Sequence, residues 1–241
     1  MDFNLNMIPE YLRNGQWIED AYGFYDTVCA ICDNGGHLIV CEGKCSRSFH
    51  AIVEDGVMCD SLGYSADQIV ALWSQPFLCP NCQFKRHQCF GCGKLGSSDK
   101  SSGAAEVFQC ACRACNYFYH PHCAAKWLYF RIGDQAKELE KEIAAGKPFI
   151  CPLHACFACK RLETKLSEDP QMHFAVCRRC PKAYHRKCLP RDIVFEVNDN
   201  RGVTPRAWEG LLHNQILIYC LEHGMDDVLG TPIRNHLRFP H

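Results

Sequence analysis

The sequence predicts a small, loop-rich fold class stapled by metal, with three tandem units packed as one composite module. Three observations predict it: 20 cysteines in 241 residues, their pairing at short spacings, and a threefold recurrence of one ligand order. Cysteine at about 8% marks either a disulfide scaffold or a metal-clustered domain. The opening run Met1-Asp2-Phe3-Asn4-Leu5-Asn6 shows neither a basic nor an apolar signal region. No stretch reaches the ~20 apolar residues of a membrane helix, so no membrane partner is expected. A reducing compartment follows, where metal is favoured over disulfide. Lys plus Arg is 26 against 27 for Asp plus Glu, a formal net charge of −1. That balance argues against a general nucleic-acid coat, and the composition against a disordered tail or a typical single-core enzyme.

Spacing identifies the metal. Close pairs are Cys29-x2-Cys32, Cys41-x3-Cys45, Cys79-x2-Cys82, Cys89-x2-Cys92, Cys156-x2-Cys159 and Cys177-x2-Cys180. Two more end in histidine, Cys151-x2-His154 and Cys220-x2-His223. Two ligands separated by two residues fold around one ion on a tight turn, as tetrahedral zinc requires. Thiolate with imidazole favours zinc over magnesium or calcium.

In order, the first unit offers Cys29, Cys32, Cys41, Cys45, His50, Cys59, Cys79 and Cys82. The second offers Cys89, Cys92, Cys110, Cys115, His120, Cys123, Cys151 and His154. The third offers Cys156, Cys159, Cys177, Cys180, His185, Cys188, Cys220 and His223. Each set of eight suits two four-coordinate ions, so six zinc ions are expected. In unit two Cys112 competes with Cys110, since Cys112-x2-Cys115 is the generic spacing. An aromatic precedes the fifth ligand each time (Phe49, Tyr119, Tyr184), and a bulky apolar residue stands two before the seventh (Phe77, Phe149, Ile218). These read as the miniature core of each unit.

With four cysteines, then histidine, then cysteine and a final pair, the order resembles the PHD-finger family. The resemblance implies an interleaved cross-brace, in which ligand pairs one and three share one ion and pairs two and four the other. In unit one this gives Cys29, Cys32, His50 and Cys59, then Cys41, Cys45, Cys79 and Cys82. A RING finger would normally place its histidine fourth. The runs CAICDNGGHLIVCEGKCSRSFH, CFGCGKLGSSDKSSGAAEVFQC, YFYHPHCAAK, ILIYCLEH and TPIRNHLRFP further resemble the plant Enhanced Downy Mildew 2 family, over about residues 26 to 240. They are also similar to the PHD and Cys-His fingers of NSD-type histone methyltransferases. That resemblance implies a nuclear chromatin regulator acting in transcription regulation. Two departures stand out: His50 to Cys59 is a long gap, and the second unit offers both Cys110 and Cys112, of which family-like spacing favours Cys110 and generic spacing Cys112.

Along the chain, residues 1–25 form an aromatic arm with Trp17, Tyr22, Phe24 and Tyr25, followed by finger one over 26–84, finger two over 85–154 and finger three over 155–224. A tail over 225–241 is expected to wrap back. Six residues separate Cys82 from Cys89, and only Ala155 separates His154 from Cys156, too few for a flexible tether. One helix is predicted over 134–145, capped by Asp134, striped by Ala136, Leu139 and Ile143, and stopped by Gly146 and Pro148. Gly96 to Gly103 reads as a mobile loop by composition. Trp73, Trp127 and Trp208 read as core residues. His87, His122, His173 and His213 receive no metal role.

The charge is unevenly spread. Residues 1–60 carry ten acidic and three basic side chains, whereas residues 156–191 carry nine basic and three acidic. An acidic first finger suits a basic peptide. The basic third finger suits a weak contact with DNA, RNA or an acidic partner, or else faces the acidic first finger or simply solvent. Leu38-Ile39-Val40 reads as a strand that a histone H3 tail can extend by β-augmentation, with Asp33 and Glu42 taking its basic side chains. The expected function is a zinc-binding chromatin reader of a peptide, most simply the H3 tail. The alternative is an adaptor for a non-histone partner protein in a nuclear complex. No catalytic residue or small-molecule substrate is expected, because each zinc set is closed and no methyltransferase cofactor loop is present.

Overall fold

The computed structural model describes residues 26–56, 58–72, 75–112, 115–129, 133–163, 169–195, 204–212, 215–233 and 236–240. The expected aromatic arm over 1–25 lies outside them, as do Trp73 and His213.

Strands of two to six residues are what a chain builds when metal, rather than a large core, closes each loop. In unit one, β1 (Ile39–Val40) pairs antiparallel with β2 (Ser48–Phe49), and short helices α1 (Ala66–Leu72) and α2 (Pro80–Gln83) follow. Unit two has two hairpins, β3 (Arg86–Gln88) with β4 (Leu95–Ser97) and β5 (Phe108–Gln109) with β6 (Phe118–Tyr119). Helix α3 (Pro121–Leu128) starts at the proline after His120 and packs against α4 (Gly133–Ala144). Unit three builds the largest sheet, from β7 (Phe174–Cys177), β8 (Ala183–His185), β9 (Ala207–Leu212) and β10 (Gln215–Ile218). Its order is β8-β7-β10-β9, with β7 and β10 parallel.

The expected helix is present, one residue out of register. It begins at Gly133, so Asp134 sits fully exposed in the first turn, 4.0 Å from Lys137, rather than at the cap. The predicted stripe holds: Ile143 is buried and Leu139 partly so, against unit two. Gly146, at φ +85°, ends the helix as its N–H returns to the Ile143 carbonyl. The loop expected over Gly96–Gly103 is instead tied down. Leu95–Ser97 is β4, Asp99 accepts from the Ser101 N–H to start a 3-10 turn, and Lys85 pairs with Asp99 at 3.0 Å. Polar, small composition there reflects a side-chain-capped turn, not mobility.

Three apolar clusters hold the body together. One runs unbroken from unit two into unit three, from Val107, Phe118 and Tyr119 to Phe174, Val176 and Ile216. A second fills unit one around Phe49 and Phe77, and Leu237 and Phe239 of the tail pack on it. The third joins Val28 of unit one to Leu217 and Tyr219 of unit three. The tail is stitched further: Asn81 donates to the Arg238 carbonyl and Gln88 to the His236 carbonyl, each at 2.9–3.0 Å. The three units therefore share their apolar surface as one module. Trp208 packs on Tyr219 at 5.5 Å, while Trp127 is half-buried.

Candidate metal centres

Each unit opens with the same knuckle. The residue after the second ligand is left-handed every time, Asp33 at φ +62°, Gly93 at +73° and Lys160 at +61°. Its N–H donates to the carbonyl of the first ligand, Cys29, Cys89 or Cys156, at 2.8 Å in all three. The first ligand's own N–H donates to Asn34, Lys94 or Arg161. This turn points both thiols to one side.

Five tetrads bring all four ligand atoms within 4.8 Å of one another. They are Cys29, Cys32, His50 and Cys59; Cys41, Cys45, Cys79 and Cys82; Cys89, Cys92, His120 and Cys123; Cys110, Cys115, Cys151 and His154; and Cys156, Cys159, His185 and Cys188. The remaining predicted residues converge too: Cys180 Sγ lies 3.5 Å from Cys220 Sγ, and Cys177 Sγ accepts from the Cys220 N–H. His223 is placed at the end of this run, with a buried Nε2 that has no hydrogen-bond partner.

The spacings fit zinc. Zn–S of about 2.3 Å and Zn–N of about 2.0 Å at tetrahedral angles put sulfurs about 3.8 Å apart and sulfur about 3.6 Å from nitrogen. Cys29 to Cys59 is 3.9 Å and Cys45 to Cys79 is 3.6 Å. Cys32, Cys92 and Cys159 approach Nδ1 of His50, His120 and His185 at 3.5, 3.4 and 3.4 Å. Buried Nε2 atoms of His154 and His185 also lack partners. The Cys32 thiol, and then the His50 N–H, hold Cys29 at about 5 against the opposing effect of burial. Cys123 and the His120 N–H do the same for Cys89, at about 4. The same contacts push Cys32 and Cys123 up, so Cys29 and Cys89 are the thiols of their centres that ionise first. The chain binds zinc.

One contact sets Cys110 apart from Cys112. In each unit the N–H of the seventh ligand donates to the sulfur of the third: Cys79 to Cys41 at 3.2 Å, Cys151 to Cys110 at 3.3 Å, Cys220 to Cys177 at 3.5 Å. Cys110 occupies the repeated place, and Cys112 is a buried residue beside it. Between the two centres of a unit lie the expected aromatic pairs, Phe49 on Phe77 at 6.3 Å and Tyr119 on Phe149 at 6.1 Å, both edge-on.

The residues expected to meet a peptide separate into two groups. Leu38, Ile39 and Val40 are half-buried and Glu42 is exposed, all on the β1 side of unit one. Asp33 stands elsewhere, a correction to its expected role. Only 2% of its side chain is exposed; Oδ1 takes Arg178 Nε at 3.3 Å, and Oδ2 takes Arg179 at 2.5 Å and the Tyr219 hydroxyl at 2.8 Å. Burial alone would raise its carboxyl, but the two guanidiniums overcome this and hold it below the usual range. Arg178 also reaches Asp26 at 3.2 Å. The basic third finger thus turns Arg178 and Arg179 toward the acidic first. His87, given no metal role, in fact lies 3.3 Å from Cys82 Sγ, is held by Ser98 at 2.7 Å and stacks on Phe118 at 3.8 Å. It couples a unit-one centre to the core of unit two. His122 Nε2 similarly lies 3.2 Å from Cys123 Sγ, and His173 is exposed.

Comparison with known proteins agrees with this geometry. Residues 23–55 match the model of the first PHD zinc finger of NSD-like histone-lysine N-methyltransferases, residues 85–154 an NSD-like PHD zinc finger, and residues 156–225 the NSD-like variant PHD zinc finger. The chain is 54% identical to the protein ENHANCED DOWNY MILDEW 2 of Arabidopsis thaliana over 90% of its own length and 16% of that protein's. It is 32% identical to the mouse histone-lysine N-methyltransferase NSD3 over 66% of its length and 9% of the enzyme's. A human H3 lysine-36 specific histone-lysine N-methyltransferase is 28% identical over 66% of the chain and 5% of the enzyme. The chain therefore spans a small part of each relative, and its matches to the methyltransferases fall in their PHD region. No solved structure matches.

Proposed function

We propose, from the premise that the chain is three PHD zinc fingers of the NSD type, that it is a non-catalytic nuclear chromatin module that reads a peptide. In this reading the fingers span 26–84, 85–154 and 155–224, and the six tetrads hold one structural zinc each. The histone H3 tail is the preferred ligand, bound along β1.

The observation that carries this reading is the open edge of β1. Cys41 donates to the Arg47 carbonyl at 2.9 Å, in register with the pairing of Ile39 opposite Phe49 and Val40 opposite Ser48. Hydrogen-bonded pairs alternate along an antiparallel ladder, so Val40 turns its N–H and C=O to the opposite side. No described strand pairs with that side. An extended peptide can add there beside half-buried Leu38, Ile39 and Val40, with exposed Glu42 as the charge for a lysine or arginine. Asp33 has no part in it.

Val40→Pro tests the idea, because proline removes the outward N–H and leaves the β1–β2 bonds in place. Together with Glu42→Ala it should weaken H3-tail binding at least tenfold by calorimetry, with zinc content unchanged. A net hydrogen bond contributes about 0.5–1.5 kcal/mol, and one to a charged group about 1.5–3. A doubly substituted chain that binds the tail as tightly as its parent would sink the β1 site.

A non-histone partner is the second reading, favoured by β9. It is the longest strand among the described residues, lies at the edge of its sheet and exposes Glu209, Gly210 and Leu211. If the zinc-loaded chain ignores every H3 peptide but retains a partner protein that is lost on Leu211→Asp, the adaptor reading takes its place.

A further inference from the structure

Where the three units and the tail meet there is a cleft of about 470 Å³. Arg47 enters it from unit one, Phe90 and Tyr117 from unit two, Arg178 and Arg179 from unit three, and Arg238 from the tail. Asp26 lines it as well, and with buried Asp33 offsets two of the four guanidiniums. His236 adds no charge, since burial and then Arg179 push it down to about 3. Among the described residues Arg47 and Arg238 have no carboxylate partner, although the thiol ligands Cys89, Cys92 and Cys180 also line the cleft.

The donors are left over too. The Arg179 side chain is only 6% exposed, and its Nη1 meets Asp33 and His236 Nε2, the latter at 3.3 Å. Its Nε and Nη2 are buried with no hydrogen-bond partner. A neutral His236 that accepts at Nε2 carries its proton on Nδ1, and that atom is also buried and unpartnered. Every unsatisfied group is therefore an N–H donor. A group that completes them must bring acceptors and negative charge together, as an oxyanion does. A carboxylate supplies one charge. A phosphate monoester brings more negative charge and three acceptor oxygens, one for each of the three unpartnered nitrogens. Arg47, 5.6 Å from the centre of the Tyr117 ring, is held by that ring at the rim.

We infer that this cleft is a binding site for a phosphate group, separate from the peptide edge of β1. It is made by all three fingers and the tail, so no single finger contains it. Planar guanidiniums grip phosphate bidentately, which is why arginine rather than lysine suits the position.

The test is to follow arginine Nε–H resonances of the zinc-loaded chain by NMR. The probes are inorganic phosphate, O-phosphoserine, a basic peptide bearing one phosphoserine, and the same peptide unphosphorylated. The Arg179 signal, assigned by its absence in Arg179→Lys, should move with each phosphate probe and stay still with the unphosphorylated peptide. Arg47→Gln and Arg238→Gln, changes at the rim, should each weaken binding at least fivefold while six zinc ions are retained. A peptide that binds tighter than both small phosphates names a phosphorylated chain as the source. Equal or weaker peptide binding names a free phosphate instead, and either supports the site. The inference is overturned if phosphate leaves the Arg179 signal unmoved, if acetate moves it as far, or if the rim variants bind as the parent does.

Discussion

Asp33 joins finger one to finger three, and its removal is the sharpest test of the composite body. The substitution to make is Asp33→Asn. The residue sits at φ +62°, which asparagine tolerates but alanine does not, so Asn removes the charge without adding backbone strain. It leaves Arg179 with no carboxylate partner and Arg178 with Asp26 alone. Breaking a buried ion pair costs about 3–5 kcal/mol, because a buried charge is left uncompensated. The amide oxygen still accepts one bond, so about 3 kcal/mol is expected. For a chain of this size that lowers the melting temperature by about 6–12 °C. The assay is scanning calorimetry at pH 7, with native mass spectrometry to show that six zinc ions remain. The lowered carboxyl makes its contribution complete above about pH 4, and it is lost only as pH falls through the folded value, so neutral pH reads it in full. Salt should change the difference little, since the pair is buried. A shift below 2 °C with full zinc refutes the latch. So does an equal loss when Asp33→Asn is made in an Arg178→Met, Arg179→Met background, where no charge is left to strand.

Three further outcomes are expected. Cys110→Ser should lose one zinc by native mass spectrometry and Cys112→Ser none; the reverse would exchange the two residues. In Gly56→Ala the new Cβ would stand 2.5 Å from His50 Nδ1 and 2.8 Å from Cys59 Cβ, so the first centre should empty and the count fall to five. Six ions in that variant would mean the turn can shift. Finger three expressed from Ala155 should melt below the intact chain, because Leu217 and Tyr219 lose Val28 and Asp33; equal melting would mean the fingers are merely adjacent.

The three-unit plan was legible because ligand chemistry is local. A Cys-x2-Cys turn closes on its own hydrogen bonds, and an aromatic before the fifth ligand is forced between two ions wherever the chain runs. The helix ending at Gly146 was readable for the same reason. What could not be read was anything set by packing between fingers. Asp33 looks like a surface acid in its own loop, and only the fold brings Arg178 and Arg179 from 145 residues away to bury it. The signal was present as the opposed charge of the first and third fingers, which names the partners' signs but not the residues. His87 was missed because a lone histidine in a six-residue junction carries no spacing pattern. The Gly96–Gly103 stretch misled because serine and glycine compose a capped turn and a mobile loop alike.

The tail has a consequence for how the chain is made. Leu237 and Phe239 complete the apolar cluster of the first finger, whose last ligand is Cys82. A ribosome adding about 5–20 residues per second needs about 8–30 s to travel from one to the other. Through that interval the first finger stands with its thiols in place and its apolar side uncovered. Zinc capture during synthesis is what can hold the first finger together before residues 237–239 arrive.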